Sequence, residues 1–209
     1  MNEDMCKRKE KLFLHLCKNF IGVTALMPNI EIKATYEDGG KAREIAVELQ
    51  ALYQGRDHQV DTYFQTKAGR LKLRESSLSG AQMIPYLRSN TSAPKFSDYL
   101  LLPVDQPTEL KRLLSEMFGV DVVVDKERDI YLWENVRIHL DHVRGLGSYL
   151  EFEAVFRDDT PAVRLQEQAK VEELIQCFGI REEMLVSVSY QDLVKQNFVR
   201  DQENFIASL

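Results

Sequence analysis

Charged and aliphatic residues alternate along segment after segment of this chain, and the charges are sorted by sign. Glu31 and Lys33 flank Ile32, while Lys72 and Arg74 flank Leu73 with Arg70 before them. Lys126 and Arg128 stand two apart, Arg137, His139 and Asp141 alternate with Ile138 and Leu140, and Glu151 and Glu153 flank Phe152. Residues two apart in a strand share a face, so each run reads as a strand with a charged side and an aliphatic side. A sheet with one solvated face alternates in the same way, but it mixes signs and uses Thr, Ser and Gln freely. Here basic residues gather on some strands and acidic ones at Glu151 and Glu153. Helices with apolar stripes bury them on the aliphatic face. The charged face must then look elsewhere, and a sheet curled into a closed or nearly closed barrel turns it into the lining of a hydrophilic bore. A bore lined with Lys and Arg takes a polyanion, and two carboxylates one residue apart can hold a hard divalent cation beside it.

Strands are expected at about 28–36, 58–66, 70–75, 81–89, 96–104, 120–128, 129–140 with a break, and 148–156. The short link Lys67-Ala68-Gly69 reads as a hairpin, and no βαβ alternation dominates, so the sheet is expected to be largely antiparallel. Helices are expected where Ala42, Ile45, Ala46, Leu49 and Leu52 form a stripe closed by Gly55, and where Leu110, Leu113, Leu114 and Met117 follow Pro107 and stop at Gly119. A third has Asp159 or Thr160 as N-cap, Pro161 at its first position, Val171, Leu174, Ile175 and Phe178 as its stripe, and Gly179 at its end. Phe13, Leu16, Cys17 and Phe20 give the N-terminal segment, residues 1–27, the stripe of an amphipathic helical extension. Residues 28–209 then form one domain, with no repeat or linker to divide them.

Thirty-three acidic against 27 basic residues give a formal net charge of −6, which argues against a surface built to coat nucleic acid or anionic lipid. No uncharged apolar run approaches the roughly 18 residues of a membrane span. Cys6, Cys17 and Cys177 are widely spaced and form no CxxC pair, so neither a disulfide framework nor a zinc ribbon is expected. A cytoplasmic location fits that cysteine usage. His139 and His142, three apart on one strand, face opposite ways, with His139 expected in the bore and His142 outside. Ser76, Ser77 and Ser79 lie in a turn without a partnered base, and no GxSxG or P-loop pattern is present. Tyr63, Tyr86 and Tyr149 read as wall packing ahead of ring stacking.

Asn29-Ile30-Glu31-Ile32-Lys33 resembles the ExExK signature of the CYTH, or triphosphate tunnel metalloenzyme, family. Later segments follow in the family's order: Asp61-Thr62-Tyr63-Phe64, Gly69 to Glu75, Tyr86-Leu87-Arg88, Val124 to Arg128, and the long run from Arg137 through Gly145-Leu146-Gly147 to Glu153. The likeness covers about residues 28–194 and is greatest to the branch related to class IV adenylate cyclases. It implies an α+β fold, an eight-stranded antiparallel barrel enclosing a triphosphate tunnel with helices packed outside. It further implies Lys33, Lys72, Arg74, Arg88, Lys126, Arg128 and Arg137 as triphosphate ligands, Lys33, Arg74 and Asp141 as catalytic residues, and Glu31, Glu151 and Glu153 as ligands of Mg²⁺ or Mn²⁺. Asn29 departs from the signature, standing where its first Glu is expected. The implied partner is an organic or inorganic triphosphate such as ATP, thiamine triphosphate or tripolyphosphate, handled by a monomer or homodimer. Three activities stay open: cyclisation of ATP to cyclic AMP and pyrophosphate, hydrolysis of thiamine or inorganic triphosphate, and binding of polyphosphate or nucleotide without catalysis.

Overall fold

The computed structural model describes residues 29–88, 97–156 and 158–207, so the expected N-terminal helix lies outside the described residues. One antiparallel sheet dominates. Its strands are β1 (Asn29–Thr35), β2 (Leu52–Phe64), β3 (Arg70–Ser76), β4 (Gly80–Arg88), β5 (Ser97–Tyr99), β6 (Leu102–Pro103), β7 (Val120–Trp133), β8 (Val136–Val143) and β9 (Gly147–Val155). Eight of them pair along the path β1-β9-β8-β7-β2-β3-β4-β5, and the two-residue β6 pairs with β4 off that path. The sheet curls into a tunnel without a closed circuit of strand pairs among the described residues. The curl brings its far ends together: the phenol of Tyr99 on β5, its pKa raised first by burial, also feels the carboxylate of Glu153 on β9. Beyond β1, residues 184–188 continue the wall, with Val186 N donating to Lys33 O at 2.8 Å and a bridge between Ala34 and Leu185.

Helices α1 (Gly39–Glu48), α2 (Pro107–Phe118), α3 (Pro161–Cys177) and α4 (Tyr190–Ala207) complete the fold. The aliphatic sheet face does what its parity demands. Ile138, Leu140, Leu150, Phe152, Ala154 and Ala34 form one core with Ala42 and Ala46 of α1 and with Val171 and Leu174 of α3, closed by Phe178. Phe64, Leu73 and Met83 form a smaller core against Leu110 and Leu114 of α2. Helix α3 starts as its sequence requires, with Thr160 Oγ1 accepting from Val163 N and Pro161 at the first turn, where a missing N–H costs nothing. Among the described residues no helix is long and apolar enough to cross a membrane.

Three boundaries differ from expectation. Helix α1 ends at Glu48, because Gln50 turns left-handed at φ 57°; Leu52 therefore enters β2, and Gly55, φ 124°, sits at a register shift of β2 against β7 instead of capping a helix. The strand expected over 96–104 is divided into β5 and β6, while 120–140 holds one long strand, a turn at Glu134-Asn135 and a second strand. Helix α4 was not expected. Its start carries a capping box: Asp192 N donates to Ser189 Oγ, and Ser189 N donates back to Asp192 Oδ2, each at 3.2 Å.

Candidate functional site

Strand register assembles the bore row by row. Glu31, Glu153 and Arg137 lie directly opposite one another across β1, β9 and β8; the next row holds Lys33, Glu151, His139 and Ile130. Below them come Tyr149, Asp141, Arg128 and Asp57, then Lys126, Gln59 and Ser76, and then Val124, Asp61, Arg74 and Gln82. The far end is apolar and aromatic, formed by Tyr63, Val122, Val143 and Tyr149 with Tyr190 from α4.

In the middle of the bore five cations share three carboxylates. Asp61 takes Lys72 Nζ at 2.7 Å and both Nε and Nη2 of Arg74 at 2.7 Å. Asp141 takes Arg128 Nε and Nη2 at 2.6 Å each, and Lys126 Nζ at 3.0 Å. Glu151 pairs with Lys33 at 3.2 Å and with Arg128. Burial by itself would raise these carboxyls; the adjoining cations outweigh it and hold all three below the usual carboxylate range. The cations are not fully compensated. Burial, reinforced by the neighbouring Arg74, lowers the Lys72 ammonium to about 7, and burial with Arg128 lowers Lys126 to about 8. His139 is lowered first by burial and then by Arg128.

Tyr190, at the first turn of α4, closes one end of the charged zone. Its hydroxyl donates to Asp141 Oδ2 at 2.8 Å, and the ammonium groups of Lys33 and Lys126 lie 3.9 and 4.8 Å from its ring centroid. Burial, then the charges of Glu151 and Asp141, raises its pKa, so it remains a hydroxyl donor. Arg70 Nη2 donates to Asp192 at 2.8 Å and fastens the same turn to β3.

At the opposite end the acidic residues gather. Glu153 accepts from Arg137 Nη1 at 3.0 Å and from Asn29 Nδ2 at 3.2 Å. Asn29 therefore donates a hydrogen bond where a carboxylate would have added charge. Glu31, Glu151 and Glu153 offer hard oxygen donors on adjoining strands and one face, the donor set that suits Mg²⁺ or Mn²⁺. Among the described residues no three His, Cys, Asp or Glu side chains already converge as a metal site, since Glu151 and Glu153 are turned to cationic neighbours.

Lys33, Lys72, Arg74, Lys126, Arg128, Asp141, Glu151 and Glu153 are thus brought together. Glu31 joins them on the same face, and Arg137, half exposed, stands at the acidic mouth. Arg88 continues the inward parity of β4, with its side chain outside the described residues. His139 is buried beside Glu151 and His142 is exposed. Sequence reasoning gave no role to Asp61, although it alternates with Gln59 and Tyr63 on the inward parity of β2. Tyr190 was missed with its helix, for which Ser189 and Asp192 were the available signal. A cavity of about 250 Å³ on the outer face, lined in part by Tyr36, Arg43, Arg56 and Asp129, takes no cation from this set.

This geometry has counterparts among known proteins. The chain matches the CYTH domain over residues 27–177. The PH1012 protein from Pyrococcus horikoshii OT3 superposes with a TM-score of 0.67 at 22% identity, covering 79% of this chain and 98% of that one. An adenylate cyclase candidate from Vibrio parahaemolyticus superposes with a TM-score of 0.66 at 17% identity, covering 82% and 99%. The adenylyl cyclase candidate HpAC1 from Hippeastrum, described as having a dominant triphosphatase activity, gives 0.55 at 16% identity, covering 80% and 95%. Comparison with curated proteins finds no match. With the family matched over most of its length and its fold shared with these tunnels, this chain belongs to the CYTH family.

Proposed function

We infer that the bore binds a triphosphate and, with a divalent cation, processes it, with cyclisation of ATP to cyclic AMP and pyrophosphate as the leading reaction. One observation carries this reading. Five cations, three buried and two half-buried, converge in the middle of the bore, positioned by Asp61, Asp141 and Glu151, and form a preformed cluster of donors for anionic phosphate oxygens. Phosphoryl and nucleotidyl transfer ask a protein chiefly for position and charge neutralisation, which a preformed set of Lys and Arg side chains supplies.

Lys33, Lys72, Arg74, Lys126 and Arg128 would hold the phosphate chain, with Arg88 and Arg137 extending the set. Arg128 and Arg74 orient it, because their guanidinium groups are already fixed by two bonds each. Asp141 fixes Arg128 and Lys126 and is fixed in turn by Tyr190. Glu31, Glu151 and Glu153 would hold Mg²⁺ or Mn²⁺. When bound, such an ion neutralises charge on the phosphate oxygens. The aromatic end and the start of α4 close the bore with buried apolar and aromatic side chains.

A second reading, a polyphosphate or nucleotide binder without turnover, is favoured by Asn29, which leaves the acidic mouth one carboxylate short of the family signature. Incubation with ATP, thiamine triphosphate or tripolyphosphate and Mg²⁺ or Mn²⁺, followed by chromatography of the products, separates the readings. Cyclic AMP with pyrophosphate supports the cyclase. A diphosphate with phosphate supports a hydrolase. Tight binding with no product in any combination overturns catalysis.

A further inference from the structure

Gln59 is 5% exposed on the inward face of β2, and its Oε1 is buried without a hydrogen-bond partner. A buried acceptor left unpaired is costly, and a native structure that keeps one usually has a use for it. The orientation of this amide is imposed by its neighbour. Nε2 donates to Asp57 Oδ2 at 2.7 Å, and Asp57 also accepts from Ser76 Oγ at 2.8 Å, Ser77 Oγ at 3.0 Å and Leu78 N at 3.1 Å. Burial raises the Asp57 carboxyl, but these bonds outweigh it and keep it below the usual range, so it stays an acceptor. Turning the amide over would set oxygen against a charged carboxylate. Oε1 must therefore face away from Asp57.

Among the described residues no nearby protein donor reaches Oε1. Lys126 stands opposite Gln59 on β7 but gives its ammonium to Asp141, and Ser76, opposite on β3, gives its hydroxyl to Asp57. Lys72 and Arg74 point their bonded groups at Asp61. Ionised phosphate oxygens cannot satisfy Oε1, because they too are acceptors.

Resting on the triphosphate reading above, we propose that Gln59 is a specificity-determining residue that accepts a hydrogen bond from a hydroxyl on the group esterified to the phosphate chain. The position selects that chemistry. Gln59 lies one row from the Asp61–Arg74 pair and directly opposite Lys126, so the donor it meets must lie within a few bonds of the phosphates, as the hydroxyls of a pentose do. The site then favours a sugar triphosphate over bare tripolyphosphate.

Calorimetric affinities of ATP, 2′,3′-dideoxy-ATP and tripolyphosphate test this in the wild type and in Gln59→Leu. The wild type is expected to bind ATP about fivefold to tenfold more tightly than the dideoxy analogue, the size of one net hydrogen bond. In Gln59→Leu that ratio should fall to about one, with tripolyphosphate affinity unchanged. Equal wild-type affinities for ATP and its dideoxy analogue overturn the proposal, even if Gln59→Leu does not fold. An unchanged ratio in a folded Gln59→Leu overturns it as well. Failure of the wild type to bind any of the three removes the triphosphate reading itself, and this proposal with it; tripolyphosphate binding without hydroxyl discrimination removes the proposal alone.

Discussion

Arg128 grips Asp141 through two parallel hydrogen bonds of 2.6 Å in the middle of the bore, where the Asp141 side chain is fully buried. A buried pair of this kind gains geometric definition more than net stability, but loss of one partner leaves buried charge under-compensated.

Asp141→Ala should therefore destabilise the fold by about 3–5 kcal/mol, since Arg128 and Lys126 would be left to Glu151. The triphosphate reading adds a further consequence. Tripolyphosphate should raise the melting temperature of the variant by more than it raises that of the wild type, because the added anion replaces the missing carboxylate. Equal ligand-induced shifts in a thermal-melt series would count against phosphate binding beside Asp141.

Lys72 gives a pH dependence with a definite sign. Its folded-state value is lowered to about 7, whereas the unfolded chain keeps the ordinary value of 10.5, so between these limits the unfolded state binds more protons and stability rises with pH. A bound polyanion favours the ammonium form, so tripolyphosphate affinity should fall over the same interval and binding near pH 8 should take up protons. Calorimetry in buffers of different ionisation enthalpy measures that uptake. Lys72→Arg should remove the Lys72 share of it, because a guanidinium does not titrate there, and leave that of Lys126, which is lowered to about 8.

The acidic mouth predicts a metal effect. Asn29→Glu should lower the Mg²⁺ concentration giving half-maximal triphosphate turnover, and Glu153→Gln should raise it, because carboxylate charge governs affinity for a hard cation. Glu153 is bonded to exposed Arg137 and to Asn29, so Glu153→Gln should leave the melting temperature within a few degrees of the wild type. A metal requirement unchanged in both variants would remove this mouth as the cation site.

The hairpin between β2 and β3 depends on Gly69, whose φ is 68°. A Cβ there would lie 2.6 Å from Leu87 Cδ2 and 2.9 Å from Tyr86 O. Gly69→Ala should cost at least about 1–2 kcal/mol for the left-handed backbone, with the contact to a backbone oxygen adding to it. Chemical denaturation provides the measurement.

What the sequence determined by itself is the parity of each strand. Glu31 and Lys33, Lys72 and Arg74, and Glu151 and Glu153 face inward because residues two apart share a side, a local rule that needs no partner. The start of α3 was equally local, since Thr160 and Pro161 act on the backbone beside them. Tertiary structure decided which charges meet. Asp61 reaches Lys72 and Arg74 because β2 pairs with β3, and Tyr190 reaches Asp141 from 49 residues away because α4 folds across the end of the bore. Pairing and curl also ended α1 at Glu48 and drew Leu52 into β2, where bonds to β7 replace those of another helical turn. Hydrophobic period is a property of neighbouring residues; ion pairing depends on strand order, which is set when the whole sheet buries its aliphatic face.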